Sequence, residues 1–151
     1  VLMPAGSALR NSAVATAMLR RRLDRGSAEI GVREVVDGTQ FLALREAVEQ
    51  VTVHDDVLHY VVSLAGATRH HPQVAVGASP RAELDLVQLA RARALLLGRD
   101  YVIPEDIKTL AVAAVAHRIS LRPEMWVRSI HGSDVMNELL RRLPVPRTDH
   151  T

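Results

Sequence analysis

The sequence predicts an all-α fold, a small bundle of five or six helices, and three observations carry that expectation. Aromatic residues make up only 3% of the chain. A core must therefore be built from Leu, Val, Ile and Ala, which suits packed helices better than a sheet. Apolar residues recur at helical spacing in one segment after another. Between those segments stand residues that start or stop helices, among them Ser79-Pro80, Gly98 and Pro144. At 151 residues, 48% hydrophobic and 24% charged, the chain is large enough to bury one core without disulfides.

Each element follows from local sequence. Residues 1–12 are small and polar without a sustained period, and read as a flexible lead-in. A helix is expected over 13–25; its closing Arg20-Arg21-Arg22 places cations where the helix dipole favours them, and Gly26-Ser27 stops it. After an irregular connector, a helix over 39–50 carries the apolar stripe Phe41, Leu44, Val48 and Val51. The next helix, 55–68, starts at Asp55-Asp56 and offers Val57/Leu58, Val61/Val62 and Ala65 to the core. The longest spans 80–97, with Ser79 as N-cap and Pro80 at the first helical position, where a missing N–H costs nothing. Its buried stripe is expected to be Ala82, Leu86, Leu89/Ala90, Ala94 and Leu97, and Gly98 ends it. A helix over 104–118 turns Ile107, Leu110/Ala111 and Ala114/Val115 inward. Met125 to Ser129 reads as a short extended segment, and a last helix over 134–142, capped by Ser133, ends before Pro144 and Pro146.

Composition excludes several chemistries. With no cysteine there can be no disulfide, Cys-ligated zinc, iron–sulfur cluster or thiol nucleophile; a reducing, cytoplasmic setting is the expectation. The longest apolar run, Leu110–Ala116, is far too short to span a bilayer. The first residues lack the apolar core of a signal peptide, and the chain opens on Val1, as a fragment or a processed chain would. The net charge is only +2, which argues against a nucleic-acid partner, although Arg20-Arg21-Arg22 with Arg25 is the patch that would serve one. Lys108 is the sole lysine and lies inside a helix, so no P-loop exists to cradle phosphates. H-E-x-x-H and G-x-S-x-G are absent as well. His70-His71 is the only histidine cluster and reads as a polar loop rather than a metal site, and Trp126 reads as core more readily than as a partner anchor.

The informative stretch is Gly77-Ala78-Ser79-Pro80-Arg81-Ala82. It delivers an arginine at the first turn of a helix, beside backbone N–H groups that have no intrahelical acceptor. Helix starts attract anions, and a guanidinium forks onto phosphate oxygens. The plainer reading is a surface arginine paired with Asp85 one turn on. On the residues alone the plainer reading leads.

The hexapeptide also resembles the G-x-S-P-R-A signature that opens the sensor-2 helix of MoxR-type AAA+ ATPases. Leu89-Ala90-Arg91-Ala92-Arg93-Ala94, Gly98-Arg99-Asp100-Tyr101-Val102, Pro104-Glu105-Asp106-Ile107-Lys108, His117-Arg118 and Arg142-Leu143-Pro144-Val145-Pro146 follow in the order of that family's C-terminal helical lid. The resemblance covers roughly residues 14 to 147. It implies an AAA+ lid-type bundle at 39–147, a linker helix and connector at 13–38, the lead-in at 1–12 and a disordered tail at 148–151. It further implies that Arg81 is the sensor-2 arginine reaching ATP, with Ser79 and Pro80 positioning it. Magnesium would be held by a core domain that this sequence lacks, so the chain alone is not expected to hydrolyse ATP. The implied partners are that AAA+ core, neighbouring subunits of a homo-oligomeric ring, and client proteins with von Willebrand factor A domains undergoing chaperone-like remodelling. One departure is Ile103, which stands where a hydroxyl N-cap is expected before Pro104. The competing expectation is a stand-alone helical interaction module without nucleotide coupling.

Overall fold

The computed structural model describes residues 5–25 and 33–146, in two compact units, Val1–Asp37 and Gly38–Thr151. In the first unit α1 runs over Ala5–Arg25. It starts at Ala5 rather than at residue 13, so residues 5–12 of the expected lead-in are helical; Ala5, Ala8, Leu9 and Arg10 are all strong helix formers. Residues 1–4, the expected stop at Gly26-Ser27 and the expected tail at 148–151 lie outside the described residues.

Among its described residues the second unit is helical too, with six helices: α2 (Gly38–Gln50), α3 (Asp55–Arg69), α4 (Pro80–Leu96), α5 (Pro104–Val115), α6 (Pro123–Val127) and α7 (Gly132–Arg142). α5 continues as a 3-10 turn over Ala116–Arg118. Two short strands, β1 (Val74–Val76) and β2 (Ser120–Leu121), pair antiparallel with Val74 opposite Leu121 and Val76 opposite Ser120. Neither strand is evident from periodicity, because each is too short to show one. The segment expected to be extended at 125–129 instead forms α6 up to Val127; Pro123 and Glu124 favour a helix start there. The side chain of Trp126 lies outside the described residues.

α4 and α5 make the closest-packed pair, and α3 and α7 cover them. Ala82, Ala90 and Ala94 on α4 and Ala111 and Ala114 on α5 are all buried, and such small side chains let two helix axes approach. Around them pack Val57, Leu64, Leu86, Ile107, Val135 and Met136, all with under 2% exposure. The expected stripes are narrower than predicted. On α3, Val57 and Val61 are buried while Leu58 and Val62 face outward; on α4, Leu89 and Leu97 are exposed.

The larger departure is α2. It has no buried residue: Phe41 is 55% and Leu44 46% exposed, and of the expected stripe Val48 is half-buried and only Val51, beyond the helix, reaches the core. The reason lies in how α2 is held. Its end is gripped by polar groups of α4: Arg91 Nη1 lies 2.7 Å from a Glu49 carboxylate oxygen and Arg91 Nε donates to Val51 O at 3.1 Å. This anchors the end and leaves the apolar stripe unburied. Leu64→Ala is therefore expected to cost about 3 kcal/mol and Phe41→Ala less than about 1 kcal/mol, measured by urea unfolding. Equal losses would mean that α2 packs its apolar face against the core.

Two helix starts are capped by carboxylates rather than hydroxyls. α7 begins at Gly132, with His131 as N-cap and the Asp134 carboxylate accepting the His131 N–H at 2.8 Å; Ser133 is already inside the helix. Gly132 is required there, since a Cβ would lie 2.4 Å from Ala116 O. α5 begins in the same manner: Asp106 accepts the Ile103 N–H at 3.0 Å, the carboxylate half of a capping box, while Ile103 has no hydroxyl to supply the other half.

Candidate functional site

The hexapeptide Gly77–Ala82 joins the end of α3 to the start of α4, and almost every residue in it has a positional reason. Gly77 lies so close to the last turn of α3 that a Cβ would sit 2.6 Å from Arg69 Cα and 2.7 Å from Arg69 N. Ala78 and Ala82 are each 1% exposed and fill the space beneath the loop. Both backbone polar groups of Ala78 are taken by neighbouring side chains of α3. Its N–H donates to Thr68 Oγ1 at 2.9 Å, and its carbonyl accepts from Arg69 Nε at 2.8 Å. Thr68 is fully buried and donates its own proton to Ala65 O at 2.6 Å, so its lone pair faces Ala78. Arg69 also pairs, through Nη2, with Glu83 in the first turn of α4.

Ser79 takes the N-cap position with extended backbone (φ −82°, ψ 162°), and Pro80 is the first helical residue. The Ser79 side chain makes no capping hydrogen bond, so it marks the position without closing the cap. The Arg69–Glu83 pair and the Ala78 contacts hold the helix start instead. Gly77→Ala is expected to displace the loop and cost about 1–3 kcal/mol, read from the urea midpoint. An unchanged midpoint would show that the loop can move away from Arg69 freely.

Arg81 projects from this held start and is exposed. The expected pairing with Asp85 does not form, because Asp85 is bound by Arg118 Nη1 at 2.5 Å. Among the described residues the Arg81 guanidinium has no hydrogen bond or ion pair. The other two arginines of α4 are both engaged, Arg91 with Glu49 and Arg93 with Asp106. Beside Pro80 an open apolar groove of about 390 Å³ runs between α3 and α4, lined by Leu58, Val62, Leu84 and Val87.

The far end of α4 is fixed by a second cluster. Gly98 adopts φ +73°, which ends the helix in the left-handed conformation. Asp106, fully buried, receives Arg93 at 2.6 Å and both Nη atoms of Arg99 at 2.9 and 2.8 Å. Burial alone would raise the Asp106 pKa; hydrogen bonds from Arg99, the Ile103 N–H and Arg93 outweigh it and hold the group below the ordinary carboxylate value. α4 is thus a strut held at both ends.

The histidine pair separates. His70 Nδ1 donates to Gly66 O at 2.8 Å at the end of α3. His71 is buried rather than in a polar loop: its Nδ1 accepts the Gln73 N–H at 3.3 Å and its Nε2 lies 3.6 Å from a Glu138 oxygen. Among the described residues no cluster could hold a metal ion, and no helix is long and apolar enough to cross a membrane. Sequence reasoning placed Ser79, Pro80 and Arg81 together, as the structure does, but missed Thr68, Arg69 and Glu83. A Thr-Arg pair at a helix end carries no periodic signal that would disclose such a role.

The AAA lid domain family matches residues 66–139, a span containing the loop, α4, α5 and most of α7. The chain is 38% identical over 112 residues to the uncharacterized Bacillus subtilis (strain 168) protein YeaC, covering 74% of this chain and 35% of that one. It is 32% identical over 126 residues to the chaperone MoxR1 of Mycobacterium tuberculosis (strain ATCC 25618 / H37Rv), covering 78% and 33%. A crystal structure of a candidate ATPase from Cytophaga hutchinsonii ATCC 33406 superposes with a TM-score of 0.77 at 27% identity, over 97% of this chain and 45% of that one. The chain therefore spans about a third of the length of these curated relatives. On fold, loop and ordered sequence likeness together, it carries a lid domain of the MoxR type of AAA+ proteins.

Proposed function

We propose that this chain is the C-terminal lid of an AAA+ ATPase and that Arg81 is its sensor-2 arginine, contributing to ATP binding and hydrolysis and coupling them to chaperone-like remodelling of partner proteins. The observation that carries the reading is the state of Arg81. Its guanidinium is exposed and unengaged among the described residues, on a helix start held by Arg69 and Thr68, while its neighbouring carboxylate is occupied by Arg118. A planar cation presented in this way fits a phosphate, onto which its N–H groups can fork. An arginine reaching the γ-phosphate stabilises charge that develops during phosphoryl transfer.

In this reading the P-loop and the Mg2+ belong to an AAA+ core domain. Ser79 and Pro80 fix the approach of Arg81 and do no chemistry. The domain arrangement is a linker helix and connector over 13–38 and the lid over 39–147. The assembly is a cytoplasmic homo-oligomeric ring, with a von Willebrand factor A domain protein as a client class. The name of the Mycobacterium tuberculosis relative, a chaperone, supports the remodelling role.

The test is ATP turnover by the polypeptide that contains both this lid and its core. Arg81→Ala should lower turnover by orders of magnitude with the fold intact; wild-type turnover would sink the sensor role. A second reading, a helical interaction module without nucleotide coupling, draws on the exposed Phe41, Leu42 and Leu44 of α2. It requires that ATP leave the chain's behaviour unchanged.

A further inference from the structure

We infer that Arg69 is the positioning residue for Arg81, with Thr68 as its partner in that task. The inference rests on the sensor reading of Arg81 and extends it to residues on a different helix. Arg69 is the last residue of α3, yet one side chain holds both sides of the α3–α4 junction. Its Nε fixes the Ala78 carbonyl at 2.8 Å, just before the N-cap, and its Nη2 holds Glu83 on the first turn beyond it. Arg81 lies between these two anchor points. Thr68 completes the arrangement by capturing the Ala78 N–H at 2.9 Å, so the two peptide planes meeting at Ala78 are both held by adjacent residues of α3. Gly77 rests on the Arg69 backbone, which brings the loop near enough for these bonds.

The geometry explains why arginine is needed. A guanidinium presents Nε and Nη donors in one rigid plane, so a single side chain can serve a carbonyl and a carboxylate together. Lysine keeps the charge and much of the length, but its three donors radiate from one terminal nitrogen and do not reproduce the spaced Nε and Nη positions that meet the carbonyl and the carboxylate. Ser79 makes no cap bond of its own, so nothing local replaces the lost contact. The first turn of α4 would then sample more orientations, and Arg81 with it. A misplacement of about 1 Å at a catalytic contact can lower a rate by roughly 10²-fold. Partial loosening should cost less, roughly 10-fold.

The experiment uses the full polypeptide, core and lid together, and compares wild type, Arg69→Lys, Arg81→Ala and the double variant. Three quantities are read: kcat and KM for ATP, the thermal midpoint, and amide hydrogen exchange over residues 79–83. The proposal expects Arg69→Lys to lower kcat roughly tenfold, with a thermal midpoint close to wild type and faster exchange at 79–83. It expects no further loss when Arg69→Lys is added to Arg81→Ala, because the two residues act through one contact. Thr68→Ser, which keeps the hydroxyl, should retain turnover, while Thr68→Val should loosen the same amides. Multiplicative losses in the double variant, or wild-type exchange at 79–83 in Arg69→Lys, would overturn the positioning role while leaving the sensor reading in place. Wild-type turnover of Arg81→Ala would overturn both, and is separately recognisable from the single variant alone.

Discussion

Arg81→Ala, in the polypeptide that joins this lid to its core, is expected to lower kcat for ATP by about 10²–10³-fold, the range for removing one donor that stabilises transition-state charge. Its stability should stay within about 0.5 kcal/mol of wild type. Both expectations follow from one observation: the guanidinium is exposed and bonded to no described residue, so its removal takes nothing from the fold. The size of the kinetic effect depends on the contact being stronger in the transition state than in the ground state. A fall in kcat beyond the loss of ground-state affinity would identify the part of the contact made only in the transition state, whereas a rise in KM at constant kcat would mark plain ground-state binding. Arg81→Lys is expected to recover only part of the rate, because the charge remains but the planar fork does not. Steady-state turnover together with a urea unfolding curve separates these cases.

A stability effect as large as that of Leu64→Ala is expected at Asp106. Asp106→Asn should destabilise the lid by about 3 kcal/mol at neutral pH. The substitution replaces one of two buried oxygens that together accept four hydrogen bonds, three from Arg93 and Arg99 and one from the Ile103 N–H, by an NH2 donor, and leaves two guanidinium groups without their counterion. Those guanidinium groups keep some solvent contact, which holds the loss near the lower end of the range for broken buried pairs. The effect should depend on pH with a definite sign. The folded-state pKa of Asp106 is depressed, so the contribution is fully present above the unfolded value near 4 and is lost as pH falls through the lower folded value. Wild type and Asp106→Asn should thus differ most at pH 7 and converge below about pH 4. A gap that persists undiminished at pH 3 in urea titrations would show that Asp106 is not the charged partner it is taken to be.

Much of the architecture is legible in local chemistry. Ser79-Pro80, Gly98 and Pro104 punctuate the chain where the structure begins and ends α4 and begins α5, because those residues act through their own backbone geometry. Burial is less legible. A stripe such as Phe41, Leu44 and Val48 states that one face of α2 is apolar, not that a neighbour stands opposite, and within its own unit Phe41 and Leu44 stay exposed. The caps show a related limit. Searching for hydroxyl groups before the helix passes over Asp106 and Asp134, which support the same helix starts from one turn inside by accepting the N-cap N–H. Arg81 was visible because it sits in a dense motif. The Asp85 pairing that the plainer reading expected is absent for a tertiary reason: Arg118, brought in by the end of α5, takes Asp85 away. Arg69 was invisible for a similar reason. Its partners Ala78 and Glu83 become neighbours only when α3 and α4 fold against each other.

The central claim is that Arg81 reads the terminal phosphate of a nucleotide held by the core. The most direct measurement is equilibrium binding of ADP and of a non-hydrolysable ATP analogue to the full polypeptide, with and without Arg81→Ala. A charge-assisted contact to phosphate contributes about 1.5–3 kcal/mol, so the variant should bind the triphosphate roughly 10–150-fold more weakly while ADP affinity stays the same. Equal affinities of wild type and variant for both nucleotides would contradict the account.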